Sequence, residues 1–308
     1  PPRRRTGQDH EVSVTCASTS FASGETAPPE PLDPGAPVVV EGLDAVGEVL
    51  QRTRGRAQAV AIASRDLEWL AERLGITERT PEGIPVIRFG TGQRSGLDAL
   101  ATRAVEKLVA ATVLGAGAPL WLAIALLIRL ESPGGAFHVA PRAGLGGKPF
   151  AFFKYRTMRA RRRDGEDEGD AARLAVIRGD IPGFTREDGT VIPKHPRDPR
   201  ITRLGGVLRW LCLDEIPQLL HVLTGDMALV GPRPYPMAEY DALKAWHRLR
   251  TDGRPGITGL WQVVARNQVT FDQSVILDIY YLANASFWLD MKIIGITPLR
   301  MLFGVGSY

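Results

Sequence analysis

Residues 108–128 read LVAATVLGAGAPLWLAIALLI, a run without one charged side chain. About twenty apolar residues suffice to cross the hydrocarbon core of a bilayer as a helix. Two features argue against a simple crossing. Gly115, Gly117 and Pro119 fall in the middle of the run, and proline deletes a backbone hydrogen bond and bends or breaks a helix. Basic residues also flank both ends, with Arg94, Arg103 and Lys107 before it and Arg129, Arg142, Lys148 and Lys154 after it. A spanning helix shows that bias on one side only. The pattern predicts a hairpin over residues 104–130, broken at Pro119, that enters and leaves a lipid bilayer by its cytoplasmic face. The competing reading is a buried core helix of a soluble domain.

Upstream, residues 1–37 are rich in Pro, Ser, Thr, Gly and Glu and read as a disordered tail. The chain opens on Pro1-Pro2-Arg3-Arg4-Arg5, with neither an initiating methionine nor a signal-peptide core, and is expected to be trimmed or part of a longer protein. Residues 38–90 alternate in type. Val38-Val39-Val40, Ala59 to Ala63 and Pro85 to Phe89 read as strands, with helices over Leu43 to Gln51 and Leu67 to Leu74. This predicts a small, parallel, Rossmann-like βαβαβ module. No G-x-G-x-x-G follows its first strand, so dinucleotide binding is not supported, and a docking or regulatory role is expected. Residues 91–101 are a polar linker.

The chain has 308 residues, 44% hydrophobic and 23% charged, which is room for about two domains. A net charge of +4 favours anionic partners: phosphates, nucleic acid or an acidic lipid surface. Cys16 and Cys212 are too few and too far apart for a disulfide framework or zinc site, and the five histidines are scattered. Both point to a reducing, cytosolic side.

Beyond the hairpin, Phe150 to Met158 reads as a strand. It enters a basic run ending in Arg161-Arg162-Arg163, followed by an acidic stretch from Asp164 to Asp170. Such blocks are usually solvated loops. The densest information lies between Arg197 and Gln262. An aspartate before an apolar run with proline early in it, as at Asp214 and Pro217, is a normal helix start. The same position suits chemistry. A helix N-terminus and the nearby Arg209 would keep the carboxylate ionised and favour a phosphoryl group beside it, and a carboxylate can attack phosphorus to give an acyl-phosphate. In Gly231-Pro232-Arg233-Pro234 the prolines stiffen the backbone around an arginine, whose planar fork grips phosphate oxygens with two bonds. Arg254-Pro255-Gly256 is similar but weaker, and a rigid surface turn is the alternative for both.

Together these segments resemble the bacterial sugar transferase family, the monotopic polyprenyl-phosphate phosphoglycosyl transferases. The resemblance covers about residues 102–308. It is carried by Lys154-Tyr155-Arg156-Thr157-Met158, Asp198-Pro199-Arg200-Ile201-Thr202, Leu213-Asp214-Glu215-Ile216-Pro217-Gln218-Leu219, Gly225-Asp226-Met227, Gly231-Pro232-Arg233-Pro234 and Pro255-Gly256-Ile257-Thr258-Gly259-Leu260-Trp261-Gln262. Leu277-Asp278-Ile279-Tyr280-Tyr281 and Trp288-Leu289-Asp290-Met291-Lys292 complete it. The sequence departs from the family pattern at Ala118, Cys212, His221 and Ala265, and in Phe137 to Arg142. None of these touches the acidic pair. The module resembles the one that precedes the catalytic part in larger members. The four membrane helices of such members are not among these residues.

The resemblance implies an α/β protein: the module, then an α+β catalytic domain with a re-entrant helix. It implies transfer of a sugar phosphate from a nucleotide sugar, with uridine as the expected nucleotide, to polyprenyl phosphate at the cytoplasmic face of the bacterial inner membrane. Asp214 would be the nucleophile and magnesium ligand, and Glu215 its partner. Lys154, Arg156, Arg209, Arg233, Pro234, Arg254 and Asp278 would bind substrate. Nucleic acid is not an expected partner, and a homodimer is left open. The rival readings are a basic nucleic-acid-binding protein and a non-catalytic membrane scaffold of polysaccharide assembly.

Overall fold

The computed structural model describes residues 37–54, 59–92, 94–159, 184–185, 191–192, 200–265 and 269–303. Residues 1–36, the blocks 161–170, Arg197-Asp198-Pro199, Arg266-Asn267 and Gly306 to Tyr308 lie outside the described residues.

The N-terminal module contains β1 (Val38–Val39), α1 (Leu43–Arg52), β2 (Val60–Ala63), α2 (Glu68–Leu74) and β3 (Val86–Phe89), in the sheet order β1-β2-β3. β1 runs parallel to β2, but β3 is antiparallel to β2, with Val60 opposite Phe89 and Ala63 opposite Val86. The expected all-parallel sheet is therefore corrected to a mixed one. The cause is a second chain reversal. After α2 the chain turns back at Thr80-Pro81-Glu82-Gly83, where Gly83 adopts φ +79° and donates to the Thr80 carbonyl at 2.9 Å. Proline presets the first half of such a turn and glycine accepts the left-handed conformation. That turn inverts the last strand.

Two helices come next, α3 (Gly96–Ala116) and α4 (Ala118–Glu131), bent by 65° to one another. The break falls at Gly117, and Pro119 stands in the first turn of α4, where its missing N–H costs no helical bond. The expected break at Pro119 is thus corrected to Gly117. Trp121 folds back over the corner: a β-carbon at Gly117 would lie 2.3 Å from its ring, and its indole N–H donates to the Val113 carbonyl at 3.0 Å. Neither helix alone is long and apolar enough to cross a membrane. Leu108, Leu120, Leu122, Leu126, Leu127 and Leu130 are exposed, while Ile124 and Ile128 pack on Tyr155 and Leu208.

The remainder is α+β. An antiparallel hairpin joins β4 (Phe137–Ala143) to β5 (Pro149–Tyr155), with a short pair β6 (Phe184–Thr185) and β7 (Val191–Ile192) beyond it. Then come α5 (Arg203–Trp210), α6 (Leu219–Thr224), β8 (Ala228–Val230), α7 (Met237–Asp241), β9 (Gly256–Thr258), α8 (Leu260–Val264), α9 (Phe271–Ala283) and α10 (Phe287–Phe303). β8 and β9 pair in parallel. A capping box between Thr270 and Gln273 starts α9, satisfying two otherwise unpaired donors. Its Val275, Ile276 and Leu277 join Val222, Met227 and Val230 in a core continuous with Ile62, Leu70 and Ile87 of the module. The contact between the two parts is specific. Trp246 lies so close over α1 that a β-carbon at Gly47 would meet it at 2.2 Å, and its indole N–H donates to Asp44 at 2.9 Å.

Candidate active site

The site is built where α5 ends. Thr202 caps α5, its hydroxyl accepting from the Gly205 N–H at 2.9 Å. After Leu211 the chain leaves the helix through Cys212 at φ +54°, the one non-glycine residue with positive φ among the described residues. A side chain costs about 1–2 kcal/mol in that conformation. The turn it makes leads into a 3-10 helix, Leu213–Gln218, with Pro217 inside it. Asp214 therefore sits within a tight 3-10 turn and does not cap a helix as the sequence predicts. Its carboxylate is left for other partners.

Three basic side chains and two acids converge there. Lys154, near the end of β5, places Nζ 3.7 Å from Oδ2 of the buried Asp214. Arg233, from the turn after β8, donates from Nη2 to Oε1 of Glu215 at 2.8 Å. Arg209 donates from Nε to the Thr157 hydroxyl at 2.8 Å, and its charge acts on both Lys154 and Asp214. Behind Arg233, Arg250 donates to its backbone carbonyl at 3.2 Å. Burial first, and then the Glu215 charge, push the Asp214 carboxyl above its ordinary range, against the pull of Lys154, Arg209 and Arg233. Burial pulls the Lys154 ammonium down, with Asp214 drawing it back up. The Glu215 charge holds the Arg233 guanidinium firmly protonated. An acid raised and an amine lowered side by side is the arrangement by which buried sites tune reactive groups.

Other residues expected at the site are placed differently. Arg156 donates to the carbonyls of Pro133, Ser132 (2.7 Å) and Ile128 (3.3 Å), closing the C-terminus of α4. Arg254 pairs with Glu106 of α3 at 2.9 Å. Asp278 is wholly buried and hydrogen-bonded to Arg250, so it reaches Arg233 only through that residue. The Pro234 carbonyl accepts from Arg142 at 2.7 Å. Sequence reading missed Arg250 and Thr157. Arg250 lies in a 3-10 helix, Trp246–Asp252, whose charged residues look like a solvated face until the tertiary fold buries one of them.

The donor set bears on magnesium. Among the described residues no group of three or more metal-ligating side chains converges, but Asp214 and Glu215 stand adjacent. One or two carboxylates, completed by substrate phosphates and water, are how magnesium is usually held, so these residues fit that ion. A cavity of about 470 Å³ opens elsewhere, between the module and α3, lined by Leu50, Phe89, Arg103, Glu106, Leu249 and Tyr281. Neither acid of the pair lines it.

Comparison with known proteins identifies the family of this chain. The sequence model of the bacterial sugar transferases matches residues 97–304, and the chain belongs to that family. It is 39% identical, over 63% of its own length and 67% of the other's, to the UDP-glucose:undecaprenyl-phosphate glucose-1-phosphate transferase of Caulobacter vibrioides. It is 35% identical to the exopolysaccharide production protein ExoY of Rhizobium meliloti, over 71% of this chain and 92% of that protein. It is 37% identical to the galactosyl transferase CpsE of Streptococcus agalactiae, where the match covers 60% of this chain but only 39% of the relative.

Proposed function

We propose that this chain transfers a sugar 1-phosphate from a uridine diphosphate sugar to undecaprenyl phosphate, releasing uridine monophosphate, at the cytoplasmic face of the bacterial inner membrane. The observation that carries the reading is the seating of Asp214 and Glu215 in one 3-10 turn beneath Lys154, Arg209 and Arg233. The names of the Caulobacter and Rhizobium relatives support the substrate pair and the place in exopolysaccharide synthesis.

The chemistry runs in two displacements. An oxygen of Asp214 attacks the phosphorus that bears the sugar. A bond forms from that oxygen to phosphorus, and the bridging phosphoanhydride bond breaks. Uridine monophosphate departs with the electron pair, leaving a sugar phosphate on the carboxylate. An oxygen of the lipid phosphate then attacks the same phosphorus and frees Asp214. Arg233 and Arg209 hold phosphate oxygens, the former in the rigid turn between Pro232 and Pro234. Lys154 offsets the charge that gathers at Asp214. Glu215, held by Arg233, steers the incoming lipid phosphate in the second step. Asp214 would hold a magnesium ion, which would supply charge neutralisation for the substrate's phosphates.

The bent α3–α4 pair supports a re-entrant hairpin. Its exposed leucines form an apolar surface of the kind that marks a membrane or partner contact, while Glu106 of α3 accepts from the Leu229 N–H and Glu131 of α4 from the Leu204 N–H.

The test is a half-reaction. Protein mixed with nucleotide sugar and magnesium, without lipid, should release about one nucleoside monophosphate per chain and carry sugar phosphate on Asp214, mapped by mass spectrometry after a fast quench. Asp214→Asn should abolish release and adduct while leaving the fold intact, since Asn is isosteric and no helix cap is lost. An adduct on another residue, or release that requires lipid, refutes the two-step mechanism.

A further inference from the structure

A pair of strands standing alone leaves the outer backbone groups of each strand without partners, and a buried N–H without an acceptor is costly. β8 and β9 are such a pair. Ala228 and Val230 are registered against Gly256 and Thr258, so the Leu229 N–H points away from β9. It donates instead to Oε1 of Glu106, midway along α3, at 3.2 Å. The other oxygen, Oε2, takes Nη2 of Arg254 at 2.9 Å, and Nη1 of Arg254 reaches the Met227 carbonyl at 3.2 Å. Glu106 is 3% exposed. One buried carboxylate thus holds the middle of β8 and the residue two places before β9.

Both strands lead directly into the site. Gly231-Pro232-Arg233 continues β8, and Gly256 at the start of β9 donates to the Pro232 carbonyl at 2.9 Å. Moving either strand moves the turn that presents Arg233 to Glu215. Glu106 also belongs to the helix whose later turns become the apolar corner with α4. We infer that Glu106 is a positioning residue: through Leu229 and Arg254 it sets the Arg233 turn, and so couples phosphate binding to the seating of the hairpin. This assigns Arg254 to the clamp and not to substrate, and it rests on the reading of Arg233 proposed above.

The test is a double-mutant cycle on the full chain in phospholipid nanodiscs. The rate of nucleoside monophosphate release in the half-reaction is followed with whichever nucleotide sugar the wild type uses best. Glu106→Gln keeps an acceptor for Leu229 but removes the charge that Arg254 needs. It should slow release tenfold or more when Arg233 is present, and less than threefold in an Arg233→Lys background, because residues acting through one group are not additive. Equal losses in both backgrounds, or no loss in the first, overturn the assignment. If Glu106→Gln fails to fold, Glu106→Gln with Arg254→Met removes the buried carboxylate and its half-buried partner together, which is less costly than stranding one of them. The paired variant should fold and remain at least tenfold slow, and wild-type release from it refutes the coupling. A wild type that releases nothing refutes the site itself, which is a separate outcome.

Discussion

Replacing Arg233 by lysine keeps the charge and removes the fork. In the structure the guanidinium is already committed on one side, with Nη2 on Glu215 at 2.8 Å. Its backbone is pinned by two prolines and by Arg250 on its carbonyl. The remaining donors of the same rigid plane are what a phosphate would meet. Lysine has a single nitrogen on a flexible stem, so it serves Glu215 or the phosphate, with no fixed geometry for both. The loss is one charge-assisted hydrogen bond, about 1.5–3 kcal/mol. At roughly 1.4 kcal/mol per factor of ten, Arg233→Lys should slow nucleoside monophosphate release by about ten- to hundredfold. The Asp214 carboxyl feels the charge of Arg233, which lysine retains, so the acid limb of the pH–rate profile should stay where it is. The assay is steady-state release with lipid and the half-reaction without it, each across a pH series. A rate within threefold of wild type would mean that the guanidinium only shapes its turn. A shifted acid limb would mean that the variant had moved the charge and not merely the fork.

Two further outcomes are expected. Cysteines introduced at Leu100 and Gly135, outside the two ends of the apolar run, should both be labelled from the cytoplasmic side of oriented vesicles, and labelling from opposite sides would leave a spanning helix. Burial pushes the Asp278 carboxyl up to about 6, with Arg250 pulling against it. A group raised in the folded state contributes stability that is full below its unfolded value, near 4, and is lost as pH rises through about 6. Thermal unfolding of detergent-solubilised protein should show that fall between pH 4 and 6, and Asp278→Asn should flatten it.

The linear chain was enough to mark the acidic pair, the Gly-Pro-Arg-Pro turn and the apolar run, because each is local. A proline fixes its neighbours' backbone wherever it stands, and a stretch without charge is apolar in any fold. Helix and strand positions in the module were legible for the same reason, the alternation of types between Val38 and Phe89. The direction of β3 was not, because it depends on whether the turn at Thr80 to Gly83 adds a reversal, and period-two patterning is identical in both directions. Intrinsic propensity alone places the break in the apolar run at proline. Packing of Trp121 against Gly117 placed the corner two residues earlier, with Pro119 harmless in the first turn of α4. Long-range pairing decided the rest. Arg156, Arg254 and Asp278 carry the charge and motif context of ligands, yet the fold commits them to the carbonyls of α4, to Glu106 and to Arg250. Lys154 and Arg233, far apart in the chain, meet the acidic pair because β5 and the turn after β8 converge on one 3-10 turn. Partnership between buried charges is a property of the tertiary structure, since the cost of burying each is met only by whichever opposite charge the fold brings within reach.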